Sequence, residues 1–194
     1  MVNELADLTL MMRVKEGDRE AFSELIRRFR KPLINFLYRI LANPAEAEDL
    51  AQEVFVRVFQ SASRYEPKAS FTTWLYRIAT NLALNHIRDH RPHQMISVDS
   101  TEEEDPKGGT LQLPDPQPLV EEAMLEQERV RQIRKAVANL PENQRLALVL
   151  TKYQGRSLKE TAEILKCSEA AVKSLIFRAY STLRERLLTV IEVA

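Results

Sequence analysis

Residues 157–186 read SLKETAEILKCSEAAVKSLIFRAYSTLRER, and this stretch decides the fold. The spacing predicts two helices joined by a three-residue turn. Ser157 and Glu160 form a capping-box pattern that starts the first helix. Leu158, Ala162 and Leu165 then recur at i, i+4 and i+7. Lys166-Cys167 supplies the turn, where a glycine would suit a left-handed position better. Ser168 is placed to cap the second helix, with Glu169 in its first turn. On that helix Val172, Leu175, Ile176, Ala179 and Leu183 make one apolar stripe. Lys173, Ser174, Phe177 and Arg178 fall on the other side. A short buried helix supporting a longer one with exposed basic, hydroxyl and aromatic groups is a helix-turn-helix layout, which points to a duplex DNA partner. The plainer alternative is a helical hairpin with a solvated polar face. An exposed Phe177 argues against it, because a solvated face has little use for a ring.

Working outward, the chain has 194 residues and only four glycines, without Val/Ile/Thr-rich alternating runs. Helix formers dominate, so an all-α fold is expected. No apolar run approaches a membrane span and no secretory pattern opens the chain, so no membrane insertion is expected and the cytoplasm is the expected compartment. A single cysteine, Cys167, excludes an internal disulfide framework. The formal net charge is zero, but it is unevenly spread. Residues 1–95 hold 14 Lys/Arg against 12 Asp/Glu, residues 96–122 hold 1 against 8, and residues 123–194 hold 13 against 8. An acidic middle cancels a basic C-terminal part, and phosphate attraction depends on the local patch more than the sum.

Three parts are expected: an N-terminal helical domain at 1–93, a flexible acidic linker at 94–119 and a C-terminal domain at 120–194. The linker rests on SVDSTEEEDPKGGTLQLPDPQP, which holds two of the four glycines and four of the nine prolines. In the first domain an apolar stripe runs from Phe22 to Ile40, with a kink or break expected at Pro32. A second helix follows Asn43-Pro44 with Leu50, Val54 and Val58 inward, and Ser61–Ser70 is a loop. The last helix covers about Phe71–His90 with Phe71, Leu75, Ile78, Ala79 and Leu82 inward. The C-terminal part places helices near 120–139 and 141–153 before the helix-turn-helix.

Three constellations bear on chemistry. Asp49, Gln52, Glu53 and Val56 share an outward helix face near Glu46 and Glu48. Hard cations need oxygens converging from several elements, so a solvated or partner-docking face is favoured over a metal site. Trp74, Arg77, Asn81, Asn85 and Arg88 form a stripe preceded by Arg64, Tyr65 and Lys68. Such a set can stack on unpaired bases and hold phosphates, or be a half-buried core ring among solvated arginines. His86, His90 and His93 lack the HExxH glutamate and a nearby cysteine, which argues against zinc. No catalytic triad or phosphate-cradling glycine loop is present, so neither an enzyme nor a cofactor is expected.

The segments AEDLAQEVFVRVF, FTTWLYRIATNLALNHIRDHR and LPENQRLALVLTKYQGRSLKETAEILKCSEAAVKSLIFRAYSTLRERL together resemble the extracytoplasmic-function (ECF) sigma factors of bacterial RNA polymerase. The resemblance covers both domains. It implies that Asp49, Gln52, Glu53 and Phe55 dock on the clamp helices of the polymerase's largest subunit. It implies a −10 reader formed by Tyr65, Lys68, Ser70, Trp74, Arg77, Asn81, Asn85 and Arg88, which captures a base flipped from the non-template strand. It implies a −35 reader formed by Ser168, Lys173, Ser174, Phe177 and Arg178 in the major groove. The acidic linker would then thread toward the RNA exit path, and an anti-sigma factor is an expected partner beside core polymerase and promoter DNA. Leu175 and Tyr180 stand where many relatives carry arginine, Asn85 where aspartate is common, and Lys166 where a turn glycine is usual. The competing reading is a freestanding helix-turn-helix regulator, which would need a sensor or dimer face in the N-terminal domain.

Overall fold

The computed structural model describes residues 2–90 and 120–191, and their regular elements are all helical. Helices α1 (Val2–Lys15), α2 (Arg19–Leu41), α3 (Pro44–Ser61) and α4 (Phe71–His90) form the first half. Helices α5 (Val120–Ala138), α6 (Glu142–Leu148), α7 (Leu158–Leu165) and α8 (Glu169–Ile191) form the second. A 3₁₀ turn at Ala62–Arg64 and a π-helical turn at Val149–Tyr153 complete the described elements. The predicted linker and His93 lie outside the described residues.

Local chemistry sets the helix starts. The Asp18 carboxylate accepts the N–H groups of Glu20 and Ala21 and opens α2. The Ala21 bond, followed by the Arg13 guanidinium at 2.7 Å, holds Asp18 below its ordinary pKa. Asn43 accepts from Ala45 and Glu46 to open α3, with Pro44 in the first turn, where its missing donor costs nothing. Ser157 and Glu160 make the expected reciprocal box at α7. Lys166 ends that helix at φ 54°, ψ 44°, the left-handed region anticipated from the sequence. The Ser168 hydroxyl accepts from Ala171 at 3.1 Å and opens α8.

Two features of the first half depart from the sequence reading. Pro32 does not break the helix, and α2 runs through it. Leu25 before it and Leu33, Phe36 and Leu37 after it are fully buried. Packing on both sides outweighs the ~3 kcal/mol an interior proline costs. Helix α1 was not anticipated, because its apolar residues do not form a regular stripe. It is held by buried Met11 and Val14 and by buried Asp7, whose carboxylate meets Arg28 at 2.9 Å.

The second half does not stand apart. Helix α7 packs on α4, while α5, α6 and the π-helical turn pack on α2. Buried side chains of both halves therefore join one core, which runs from Met11 to Leu183. The sequence left open whether the two domains touch. Their contact accounts for the burial of Thr72 and Tyr76 on α4, which bond Arg156 and Gln154, in addition to its predicted apolar stripe.

The turn at Lys166 offers a stability test. An L-residue in the left-handed region costs about 1 kcal/mol that glycine avoids. Lys166→Gly should raise the thermal midpoint by about 2–4 °C in calorimetry. A lowered midpoint would contradict the strain assigned to this turn.

Candidate nucleic-acid interface

The exposed side of α8 carries Lys173, Ser174, Phe177 and Arg178, and the Phe177 ring is 73% exposed. Val172, Ala179 and Leu183 are buried on the opposite side, with Leu175 and Ile176 partly so. The helix is thus fixed from behind while its front stays open. The Ser174 hydroxyl donates to the Ala170 carbonyl at 3.0 Å, so it is aimed back along the helix. Ser168 is occupied as the helix cap, which makes it a positioning group before it is a contact. Beside Phe177 lies an open groove of about 570 Å³ lined by Lys152, Arg156, Lys173, Ile176 and Tyr180 among others, without a carboxylate. Lys152, Arg156 and Tyr180 extend the basic and aromatic surface beyond the residues singled out from the sequence. Their signal was the basic content of KYQGR ahead of α7.

A second face lies on α4. Asn81, Asn85 and Arg88 are exposed and Trp74 and Arg77 are half-buried, so the structure brings this stripe onto one open side of one helix. The loop before it divides differently from the expectation. Lys68 is exposed and pairs with Glu66 at 2.6 Å. The Ser70 hydroxyl accepts from the Thr73 N–H at 3.2 Å and so caps the start of α4. Tyr65 is only 2% exposed and cannot touch DNA as it stands, which corrects its assignment as a contact. Its ring meets Trp74 edge-on with centroids 4.8 Å apart, and burial pushes its hydroxyl pKa up. Tyr65 sets the attitude of the Trp74 ring.

A third face lies along α3. Asp49 and Gln52 are exposed, and Glu53 is partly exposed and paired with Arg57 at 2.8 Å. Phe55, named by the resemblance as a docking residue, is 7% exposed, so its ring belongs to the core. The outward apolar groups are Val56 and Phe59, 48% and 53% exposed. They border a groove of about 560 Å³ between α2 and α3, with Phe22 and Ile26 on the far wall and Gln52 at the rim. Phe22 and Phe59 lie 5.1 Å apart. An apolar groove edged by carboxylate and amide groups is a surface for a protein partner.

His86 and His90 take a structural part. His86 Nε2 lies 2.8 Å from Glu46, and the His86 and His90 rings stack at 4.1 Å. This ties α4 to the start of α3. Among the described residues no group of three or more His, Cys, Asp or Glu side chains is placed to hold a metal ion. Among them, too, no helix is long and apolar enough to cross a membrane.

Two family models match the chain: Sigma-70 region 2 at residues 25–93 and Sigma-70 region 4 at residues 130–183. The first match takes in the α3 and α4 faces and the second takes in the helix-turn-helix. The RNA polymerase sigma-H factor of Pseudomonas aeruginosa is 31% identical over 182 residues, 92% of each chain. The ECF RNA polymerase sigma factor SigW of Bacillus subtilis is 34% identical over 176 residues, 90% of this chain and 92% of that one. The chain belongs to the ECF sigma factors.

Sigma factors direct RNA polymerase to promoters and are not enzymes. The fold is similar to that of the sigma factor RpoE in complex with the anti-sigma factor NepR from Bartonella quintana. The TM-score is 0.63 at 22% identity, over 86% of this chain and 96% of that one.

The placement of Tyr65 gives a direct check on this ECF sigma factor. Tyr65→Phe keeps the ring and should leave stability and promoter binding at the wild-type level. Tyr65→Ala empties a buried site and should cost about 3–5 kcal/mol in denaturant unfolding. A phenylalanine variant that is stable yet loses promoter affinity would restore the hydroxyl as a DNA contact.

Proposed function

We propose that this ECF sigma factor divides its work among three surfaces. Residues 1–93 form the region 2 domain, 94–119 the connecting linker and 120–194 the region 4 domain. The α3 face, with Asp49 and Glu53 along the helix, Gln52 at the rim and Val56 and Phe59 at the groove, docks on the clamp helices of the polymerase's largest subunit. Phe55 serves that surface from below by holding the groove wall. The α4 face reads the −10 element. Trp74 stacks on an exposed base, Asn81 and Asn85 bond base edges, and Arg77 and Arg88 hold phosphates, with Lys68 at the loop. Pulling one base from the stack costs a few kcal/mol, and a stacking surface offsets that cost and helps nucleate melting. The α8 face reads the −35 element, with Phe177 toward a thymine methyl and Lys173 and Arg178 toward phosphate or guanine. The single observation that carries this reading is that the three faces are exposed on different helices while each helix is anchored by a separate buried stripe.

The partners follow from the same surfaces. Core polymerase and promoter DNA are the working partners, and an anti-sigma factor is the regulatory one. The sigma factor from Bartonella quintana, whose fold this chain shares, is bound by an anti-sigma factor, and that supports the last assignment. The place of work is the cytoplasm, where a polymerase subunit must act.

Paired variants separate the roles. Asp49→Ala with Gln52→Ala should weaken binding to core polymerase by at least about tenfold, with the helical circular dichroism spectrum unchanged. Lys173→Ala with Phe177→Ala should preserve core binding and lower promoter affinity. Removing one phosphate-contacting lysine should also reduce the salt slope of promoter binding by about 0.9. Equal loss of the same activity in both pairs would contradict the division of labour.

A further inference from the structure

Helix α1 ends against the loop that leads into α4. The Lys15 ammonium, in the last turn of α1, donates to the Tyr65 carbonyl at 3.0 Å, 50 residues along the chain. The Tyr65 N–H closes the 3₁₀ turn on Ala62. Its carbonyl lies past the end of that turn, where no helix supplies it a donor. Among the described residues this is the one hydrogen bond from residues 65–70 to an element that does not adjoin them in sequence. The loop's other bonds are local: Glu66 with Lys68, and Ser70 with Thr72 and Thr73. We propose that Lys15 is a positioning residue of the −10 reader, which holds the loop at 65–70 and, through it, the Trp74 ring in the attitude that receives an exposed base. This role rests on the promoter reading above, and Lys15 lies ahead of the 25–93 segment that matches region 2.

The end of α1 is itself held in place. Met11 and Val14 are buried beneath it. Gly17, at φ +93°, turns the chain there. Asp18, which caps α2, also binds Arg13 at 2.7 Å. Helix α1 packs on the 3₁₀ turn and on α4 as well as on α2. Lys15 therefore reaches Tyr65 from a base anchored to three elements. A cation in a last turn also suits the helix dipole. That role asks only for positive charge near the carbonyls that end α1. Here the ammonium is directed to a carbonyl of another segment, as a charge-assisted bond.

The loop carries that restraint forward. Pro67 fixes its own φ and keeps Glu66 out of the helical region. The Lys68 N–H donates to the Glu66 carbonyl at 2.8 Å, a tight turn centred on Pro67. Lys68, and to a smaller extent Lys15, hold the Glu66 carboxyl below the usual carboxylate range. Ser70 closes the loop by capping α4. A segment this short and stiff takes its orientation from its ends. Lys15 sets the first end and Ser70 the second. The Tyr65 ring then meets Trp74 edge-on at 4.8 Å. Releasing the Tyr65 carbonyl frees both rings to tilt together. A base-receiving site must be held within about 0.5 Å and 10–20° of its working geometry, so a small tilt is enough to matter.

Two substitutions and two readouts test this. Lys15→Met keeps an apolar stem and removes the donor, while Lys15→Arg keeps a donor for a single carbonyl. Trp74 is the chain's one tryptophan and reports directly in the free protein. Lys15→Met should raise acrylamide quenching of Trp74 and lower its anisotropy, and Lys15→Arg should match the wild type. Each protein is then combined with core polymerase, and open-complex yield is compared on promoters carrying each base at every −10 position. Lys15→Met should lose about three- to tenfold of the base preference at the captured position. Its core affinity and −35 preference should stay at the wild-type level, and Lys15→Arg should restore the −10 preference. Trp74 quenching equal in wild type and Lys15→Met would overturn the route through the ring. A base preference equal in both would overturn the role in base capture. Equal loss of core affinity, −35 preference and −10 preference would overturn it too, as a general weakening of the fold. Loss in Lys15→Arg as large as in Lys15→Met would overturn the carbonyl bond as its basis. Wild-type protein that shows no base preference near −10 with core polymerase would instead sink the promoter reading, and Trp74 quenching would still judge the Lys15 bond by itself.

Discussion

The packing of α4 is the constraint on which the rest depends. One 20-residue helix meets three environments around its circumference. Phe71, Leu75 and Ala79 enter the core shared with α2 and α3. Thr72 and Tyr76 meet the second half. Trp74, Arg77, Asn81, Asn85 and Arg88, the proposed DNA face, take the open side. A helix with three occupied sides cannot rotate to improve one contact without spoiling another. That rigidity is what a base-capturing face requires, because a stacking ring must stand still at the cost of little entropy. Tyr65 beneath Trp74 and the Ser70 cap at the helix start serve the same end.

The electrostatics divide along the same lines. A chain with zero net charge can still offer a basic surface, because its charges are unevenly spread. The groove beside Phe177 has lysine and arginine on its walls and no carboxylate. The acidic groups near Asp49 edge an apolar groove suited to protein. Much of the surviving charge inside each half is spent on architecture, as with Arg28 on Asp7 and Glu24. Glu24, held by Arg27 and then Arg28, has its pKa lowered to about 2. The exposed Arg27–Glu24 pair adds little stability, whereas the Arg28 bond to buried Asp7 joins α1 to α2.

What could be read from the sequence was whatever is local. The capping box, the left-handed Lys166, the Ser168 cap and the α8 stripe all depend on residues within a few positions of each other. The long-range features were not legible. Helix α1 lacks a regular stripe because its burial relies on Asp7 meeting Arg28 across the chain. Pro32 signalled a kink or a break, and packing on both sides kept the helix continuous. Tyr65 and Phe55 looked like surface aromatics in a polar context, yet their burial is decided by helices distant in sequence. Thr72 gave no sign of being buried, since the half that meets it lies far along the chain. Val56 was placed outward from the sequence, but Phe59 was passed over. The groove they border shows only when its opposite wall, Phe22 and Ile26, is in place.

The central claim is that two DNA readers on one chain act as a pair set by the polymerase. A randomised promoter library transcribed by the purified sigma factor with core polymerase, with start sites and upstream sequences read together, tests it most directly. The account predicts two constrained sequence blocks, one near −10 and one near −35, separated by a nearly fixed spacer. A single constrained block, or two blocks at freely varying distance, would contradict it.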